Sequence, residues 1–317
     1  MSVLHFLTYF TVIIFAVMVI ARMIRIGNAP VHLRWELYPV PHESGPRAKY
    51  GGSKMEELDF WEKTHKSNIF GELKVMIPEI LFLKGIWEYN RSLWTGSYPF
   101  HLGLYLIFFN IALFIIAAIM TLSGSPIGPD QAGINLWLYW ATYGISWAAT
   151  VIGTLGALRM LFLRIVDDGL SKYSTISHYF NIILIGAFYF TGLLWVALDP
   201  NLVENILSFF VGILSFSEMG QFPTIAYVHM YIGLFFAIYL PFTHMTHFFT
   251  KYFTYHKIRW EDASVAPGSA MEKRLAQQLT QPVTWSSTHI GADGKKNWLD
   301  LATWAPYMEK KEDKDDK

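Results

Sequence analysis

Residues 229–247 read HMYIGLFFAIYLPFTHMTH, an apolar stretch with a histidine at each end. In a continuous helix the 18 residues from His229 to His247 make five turns, so both imidazoles would lie on one face, roughly 27 Å apart. This separation is close to the hydrocarbon thickness of a bilayer. Because ionisable residues in a membrane span usually serve a function, the stretch predicts a membrane helix with a functional imidazole near each surface.

The composition supports a helical membrane protein. Of the 317 residues, 53% are hydrophobic, and the mean hydropathy is +0.29, which is typical of a chain that crosses a bilayer several times. Lys plus Arg and Asp plus Glu balance at 25 each, so nothing in the charge indicates a nucleic-acid partner. The chain has no cysteine, which excludes a thiolate-ligated iron–sulfur cluster. Any redox centre must therefore be held by His or Met, or belong to a partner.

Apolar runs of about 20 residues predict an all-α bundle of five transmembrane helices. The predicted spans are 3–21, 100–122, 134–162, 176–198 and 223–249. The run 202–216 is too short to span comfortably, and we expect it to lie on the membrane surface. Counting it as a sixth span is the alternative, which would invert the last helix.

The distribution of basic residues predicts the orientation. No Lys or Arg occurs in residues 1–21, 99–158 or 173–250. With five spans, all basic segments fall on one side, which the positive-inside rule assigns to the cytoplasm. The N-terminus is then outside and the C-terminus inside.

This topology divides the chain into four parts. Residues 1–25 form the first transmembrane helix. Residues 26–98 form a cytoplasmic insertion that contains an interfacial amphipathic helix, indicated by apolar residues at helical spacing from Leu73 to Trp87. Residues 99–250 form a membrane core of four helices, and residues 251–317 form a cytoplasmic tail with a disordered end.

A second histidine lies at the depth of His247. His101 opens the second span, which runs outwards, while the fifth span runs inwards, so both residues lie at the cytoplasmic level. They can face each other across the bundle, as two axial haem ligands must. His244 is the spare candidate if the register of the helix shifts.

These residues resemble a known family. FHLGLYLIFF (100–109) and HMYIGLFFAIYLPFTHMTH resemble the second and fifth helices of the gamma subunit of respiratory nitrate reductase. That family consists of five-helix, N-out membrane cytochromes with two b haems, and the likeness covers about residues 100–250. The resemblance implies that His101 and His247 bind the cytoplasm-side haem and that His229 binds the outer haem.

One position departs from the family pattern. The family has another histidine on the second helix, ten residues after the first, and here that position is Ile111, preceded by Asn110. The outer haem site is therefore either absent, leaving one haem, or completed by another outer ligand. The candidates are His5 and, as softer ligands, Met120 and Met219.

Further polar residues lie at the cytoplasmic ends of the spans. His178 opens the fourth span there, and we expect it to hydrogen-bond a haem propionate or a quinone. Arg159 and Arg164 end the third span and can pair with propionates.

The long 26–98 insertion is nearer to the sulfur-metabolism branch, whose cytochromes are linked to dissimilatory sulfite reductase or heterodisulfide reductase. The resemblance implies a haem b subunit of a quinone-linked oxidoreductase complex in the inner (cytoplasmic) membrane. It would pass electrons between menaquinone or ubiquinone and a cytoplasmic iron–sulfur subunit of the heterodisulfide reductase kind, with other membrane or periplasmic subunits alongside. The alternative is a non-redox anchor or transport subunit of a cytoplasmic complex, which predicts no haem and no effect of replacing His101 or His247.

Overall fold

The computed structural model describes residues 2–29 and 34–304 and is 71% helical. This content confirms the all-α fold class. The end of the tail, for which disorder is predicted, lies outside the described residues.

The α-helices of the described residues are numbered here in chain order. They are α1 Val3–Gly27, α2 Ile69–Leu81, α3 Lys84–Tyr89, α4 Arg91–Leu122, α5 Ile134–Val166, α6 Asp168–Ser171, α7 Ile176–Leu198, α8 Leu202–Ser215, α9 Thr224–Tyr239, α10 His247–Thr254, α11 Ala270–Leu279 and α12 Trp298–Ala302. One small hairpin joins β1 Ser286–Ser287 and β2 Ala292–Asp293.

Within the described residues, five helical segments are long and apolar enough to cross a membrane, which confirms the predicted number of spans. They are α1, α4, α5, α7 and the segment Thr224–Phe242, which begins with α9. Helix α4 begins at Arg91, nine residues before the predicted apolar edge, because the Asn90 side chain accepts a hydrogen bond from the Leu93 amide (2.9 Å) and caps the first turn.

Small residues bring α4 and α5 into close contact. A Cβ atom on Gly103 would lie only 2.7 Å from Gly153 Cα, and one on Gly156 would lie 2.7 Å from Phe100 Cα. Glycine at these positions therefore lets the two backbones approach each other directly. Tyr189 of α7 donates a 2.5 Å hydrogen bond to the Phe100 carbonyl, so a third helix fixes the same turn of α4.

The fifth span is broken near its end, contrary to the continuous helix predicted over 223–249. After α9, the chain forms two 3₁₀ turns, Leu240–Phe242 and His244–Thr246, before α10 begins. Pro241 explains the break, because proline has no N–H and its ring clashes with the preceding turn. The argument that five α-helical turns align His229 with His247 is therefore wrong.

Arg22 of α1 satisfies carbonyl groups at this break. Its Nη1 donates hydrogen bonds to the carbonyl oxygens of Pro241 (2.8 Å) and Thr243 (3.1 Å). A carbonyl group that has lost its helical partner forms a stronger hydrogen bond with a charged donor than with a neutral one. The first and fifth spans are thereby joined where the fifth is irregular.

Helix α8 forms separately from α7 and is too short to count among the candidate spans, while its predicted position on the membrane surface stays a prediction. The carboxylate of Asp199 accepts hydrogen bonds from Trp195 Nε1 and Asn205 Nδ2, both 2.8 Å, and so fixes the turn between the two helices. Leu202 and Val203 are 1% exposed, with Val203 in one hydrophobic cluster with residues of α4 and α5.

The segment before α4 contains two helices where one amphipathic helix is predicted. Helices α2 and α3 are separated at Leu83, whose φ is 54°. The Tyr105 hydroxyl donates to the Ile80 carbonyl (2.8 Å), and Trp94 Nε1 donates to the Phe82 carbonyl (2.9 Å). These bonds hold the end of α2 on α4.

The chain divides into two compact units, residues 1–22 with 72–248 and residues 23–71 with 249–317. The second unit contains a largely buried charge network around Asp262. This carboxylate accepts hydrogen bonds from Arg34 and His42 and pairs with Lys54 Nζ at 3.0 Å. Burial alone would raise the pKa of Asp262, but the hydrogen bonds and charges of His42 and Lys54 hold it below its ordinary value.

The described part of the tail is folded within the second unit. Ser269 caps α11 through the Glu272 amide (3.1 Å), and Asn297 and Asp300 form a capping box at the start of α12. Upstream, Trp260 is 1% exposed and donates a 2.6 Å hydrogen bond from Nε1 to Glu36.

Candidate functional site

His101 and His247 lie together in the membrane unit. Their ring centroids are 5.9 Å apart and the ring planes are inclined by 69°. The predicted approach of the two residues is therefore observed, although the helix break gives His247 a different path from the one expected.

The surroundings of His101 fix which ring nitrogen is available. Its Nδ1 is 2.7 Å from the Ser97 carbonyl oxygen, which can only accept, so Nδ1 carries the proton in the neutral ring. The lone pair is then on Nε2. A backbone partner of this kind orients metal-binding histidines in general.

The spacing of the two rings suits one iron atom between them. A metal–imidazole bond of about 2 Å on each side, with a ring radius of roughly 1 Å, puts the two centroids about 6 Å apart. The observed 5.9 Å agrees with this requirement. His101 and His247 are therefore the residues that would hold the iron of a haem b.

A second histidine pair, His178 with His244, was not predicted from the sequence. Its ring centroids are 5.1 Å apart, which is shorter than the spacing that suits an intervening iron. The Nδ1 of His178 accepts from the Thr175 amide (3.0 Å) as part of the capping box of α7. His244 Nε2 lies 3.4 Å from the Asn181 amide. His178 begins the fourth span and His244 lies at the end of the fifth. These positions in the sequence could have indicated that the two residues lie close together.

The two arginines lie on the last turns of α5. Arg159 Nε lies 3.4 Å from Thr95 Oγ1, and a Cβ on Gly96 would be 3.1 Å from Arg159 Cγ, so this arginine packs on the first turns of α4. Arg164 donates to the Ser174 hydroxyl (2.8 Å), and its Nε is buried without a hydrogen bond.

A cavity of about 260 Å³ lies among α4, α5, α7, α8 and α9. Most of its wall is apolar, with aromatic rings that include Phe114 and Phe188. Asn110 and Ile111 line it from α4, and His229 lines it from α9. The position at which the resemblance leads us to expect a histidine therefore shares one cavity with His229.

His229 is held firmly against α7. Its ring stacks on Phe188, with centroids 4.5 Å apart and planes inclined by 12°. Its Nδ1 is 3.1 Å from the Phe188 carbonyl oxygen and 3.2 Å from Thr191 Oγ1. A Cβ on Gly192 would lie 2.9 Å from the His229 ring, so only glycine leaves room for this contact.

Asn110 has an unpartnered carbonyl in the same cavity. The residue is 7% exposed, and its Nδ2 donates to the Thr142 carbonyl (3.2 Å) and to Ser146 Oγ (2.8 Å). Its Oδ1 is buried without a hydrogen bond. Such a group is costly unless a ligand or water supplies a donor.

The other candidates for a ligand opposite His229 are His5, Met120 and Met219. His5 is 1% exposed, and its ring nitrogens lie 2.9 Å from the Ser217 carbonyl oxygen and 2.9 Å from the Ser2 hydroxyl. Met120 and Met219 pack against two different hydrophobic clusters. None of the three is among the described residues that line the cavity.

The cavity as built does not fit a haem with two axial ligands. Among its described lining residues, His229 and Met230 carry the side-chain atoms that can ligate haem iron. They are consecutive on α9 and therefore point about 100° apart, so they cannot ligate one iron from opposite faces. The spacing of His101 and His247 would suit a haem, whereas the cavity beside His229 offers a single imidazole.

The chain matches the model of one known protein family. A family model described as Nitrate reductase gamma subunit matches residues 87–261, which is more than half of the 317 residues. The match contains the His101–His247 pair and all residues named here for the cavity beside His229. Neither a curated protein nor a solved structure matches the chain.

Proposed function

Because the chain belongs to the nitrate reductase gamma subunit family, whose members are membrane haem b electron-transfer subunits, we propose that it transfers electrons between the membrane quinone pool and a cytoplasmic iron–sulfur partner. In this proposal the chain is the electron-transfer subunit of a quinone-linked oxidoreductase complex. The observation that carries it is the His101–His247 pair, whose 5.9 Å centroid distance suits one haem iron.

The residues around this pair have separate roles in the proposal. His101 and His247 hold the iron, with the tautomer of His101 set by Ser97. Haem b, when bound, accepts and releases one electron at a time. Arg159 and Arg164 are proposed to pair with the propionates, since a guanidinium binds a carboxylate through two parallel hydrogen bonds. His178, beside His244, is the proposed hydrogen-bond partner of a propionate or a quinone.

We propose an N-out, C-in orientation in the inner membrane. The support is the absence of Lys and Arg from residues 1–21, 99–158 and 173–250, which leaves every basic residue on one side of a five-span bundle. His101 and His247 then lie at the cytoplasmic ends of their spans, and the 26–98 insertion and the 251–317 tail are cytoplasmic segments.

The proposed partner is an iron–sulfur protein of the heterodisulfide reductase kind, as in the sulfur-metabolism branch of the family. The chain has no cysteine, so an iron–sulfur centre must come from another subunit. The second unit exposes large aromatic side chains, among them Trp35 (57%), Trp61 (53%) and Trp298 (49%). Exposed tryptophans of this kind are enriched at protein interfaces.

Haem content of the purified full chain tests the proposal. The pyridine haemochrome assay should give one haem per polypeptide, and His101→Ala and His247→Ala should each abolish it. His289→Ala is the matched control, because His289 is exposed and bonds its neighbour Ser287 (2.8 Å). A wild-type chain without haem, or haem retained in both ligand variants, would refute the proposal. A reduced quinol added to the oxidised protein should then give the reduced haem spectrum.

A further inference from the structure

Arg22, near the end of the first span, binds backbone oxygens of another helix. Its Nη1 donates hydrogen bonds to the carbonyl oxygens of Pro241 (2.8 Å) and Thr243 (3.1 Å). An arginine at the end of a span usually extends its side chain to the lipid head groups. Here the two hydrogen bonds direct the guanidinium to the fifth span, so its role lies within the protein.

The carbonyl groups that Arg22 binds belong to the segment that leads into His247. Pro241 interrupts the helix, and the 3₁₀ turn His244–Thr246 ends directly before His247, the first residue of α10. Thr243 is four residues before His247, which corresponds to roughly 6–8 Å of helical rise. Arg22 therefore anchors the start of the turn that carries the His247 side chain.

No carboxylate within the membrane spans offsets the charge of Arg22. All five candidate spans lie in sequence ranges without Asp or Glu, which are 1–35, 89–129, 131–166, 169–198 and 219–260. The partners of Arg22 are carbonyl groups, which are neutral and bind the cation without cancelling its charge. Such a charge acts over a longer distance than one in bulk water, because the effective dielectric constant of a protein is lower.

The turn of His101 is held by a neutral donor. The Tyr189 hydroxyl donates to the carbonyl oxygen of Phe100, the residue before His101 (2.5 Å). The two proposed iron ligands therefore differ in their supports, one a hydroxyl group and the other a cation. A cation near haem iron favours the ferrous state, because reduction removes one unit of positive charge from the iron.

We propose that Arg22 is a positioning residue for the haem held by His101 and His247, and that its charge raises the reduction potential of this haem. This inference rests on the proposed function, since it concerns the haem assigned there. The hydrogen bonds of Arg22 hold the segment before His247, and its charge stabilises the reduced iron. At an effective dielectric constant of about 20, a unit charge acting over roughly 12 Å changes an equilibrium constant about tenfold.

Redox titration of the full chain in lipid nanodiscs, followed by the haem absorption spectrum, tests the role of the charge. Arg22→Gln keeps a hydrogen-bond donor and removes the charge. The equilibrium constant for reduction should therefore fall about tenfold, which is a midpoint potential about 59 mV lower for one electron. Arg22→Lys keeps the charge, and its constant should stay within threefold of the wild-type value.

Arg25→Gln is the matched control on the same helix. Arg25 lies three residues after Arg22 and is exposed, so water and salt screen its charge. Its replacement should change the equilibrium constant for reduction less than threefold.

Amide hydrogen exchange over residues 240–246 measures the positioning role separately. Exchange should be faster in Arg22→Met, which removes both the charge and the donor, than in Arg22→Lys, which keeps a charged donor. Equal exchange in these two variants would contradict the positioning role.

The outcomes separate this inference from the proposed function. An equilibrium constant within threefold of wild type in Arg22→Gln, or an equal fall in Arg25→Gln, overturns the role of the Arg22 charge. Loss of haem from both Arg22→Gln and Arg22→Lys also overturns it, because the residue would then be required for folding. These results leave electron transfer by the wild-type chain standing, whereas a wild-type chain without haem overturns the proposed function itself.

Discussion

Replacing Gly103 with alanine should separate α4 from α5. The new Cβ would lie 2.7 Å from Gly153 Cα, about 0.7 Å inside the 3.4 Å at which ordinary contact begins. Both atoms are anchored to helix backbones, so neither can rotate away. Overpacking of this kind costs about 1–3 kcal/mol, and alanine recovers about 0.5–1 kcal/mol in a helix interior. We expect a net loss of about 1–2 kcal/mol.

Thermal unfolding in one detergent, followed by far-ultraviolet circular dichroism, measures this loss. At about 2–4 °C per kcal/mol for a unit of this size, the midpoint of Gly103→Ala should fall by about 2–8 °C. Gly144→Ala is the control on α5, because a Cβ there would meet nothing within 4 Å, and its midpoint should be unchanged or higher. Equal midpoints for the two variants would refute the close-contact argument.

Three further perturbations test other features. Arg22→Met should lower the unfolding midpoint and speed amide hydrogen exchange over 240–246, because each lost bond from this charged donor is worth about 1.5–3 kcal/mol; unchanged exchange would contradict this role. Asp262→Asn should destabilise the chain at pH 7. The folded pKa of Asp262 is lowered, so its contribution to the free energy of unfolding is complete above the unfolded pKa of about 3.9 and is lost as the pH falls through the folded pKa. The denaturant midpoints of the two proteins should therefore converge below about pH 4. A constant difference between the midpoints down to pH 3 would contradict this reasoning. Ile111→His should raise the pyridine haemochrome count from one to two, because it adds an imidazole to the cavity of His229; an unchanged count would show that the cavity does not admit the macrocycle.

Much of the membrane fold could be predicted, because the requirement for about 20 apolar residues is local in sequence. The five spans and the separate α8 follow from that rule alone. The start of α4 was predicted nine residues late because hydropathy identifies the apolar part of a helix, and residues 91–98 are helical without being apolar. The meeting of His101 and His247 was predicted from depth, which the broken helix did not alter.

What depends on non-local contacts could not be predicted. The pairing of Arg34 with Asp262 joins residues 228 positions apart, and no periodicity connects them. The unpartnered Oδ1 of Asn110 is visible only once Thr142 and Ser146 are in place around the amide. The sequence indicated that Ile111 stands where a histidine was expected, but the nature of the space beside it required coordinates.

The break at Leu240–Thr246 changes how sequence length and site geometry are coupled. In an unbroken α-helix, one inserted residue would rotate everything after it by about 100°, and His247 would swing away from His101. Here two short 3₁₀ turns lie between His229 and His247, and Arg22 donates hydrogen bonds to carbonyl groups of this segment. The position of His247 is therefore set by local contacts and not by the rotation of one continuous helix. The positions of His229 and His247 are therefore set by separate local contacts, so a change at one end of this span need not move the histidine at the other end.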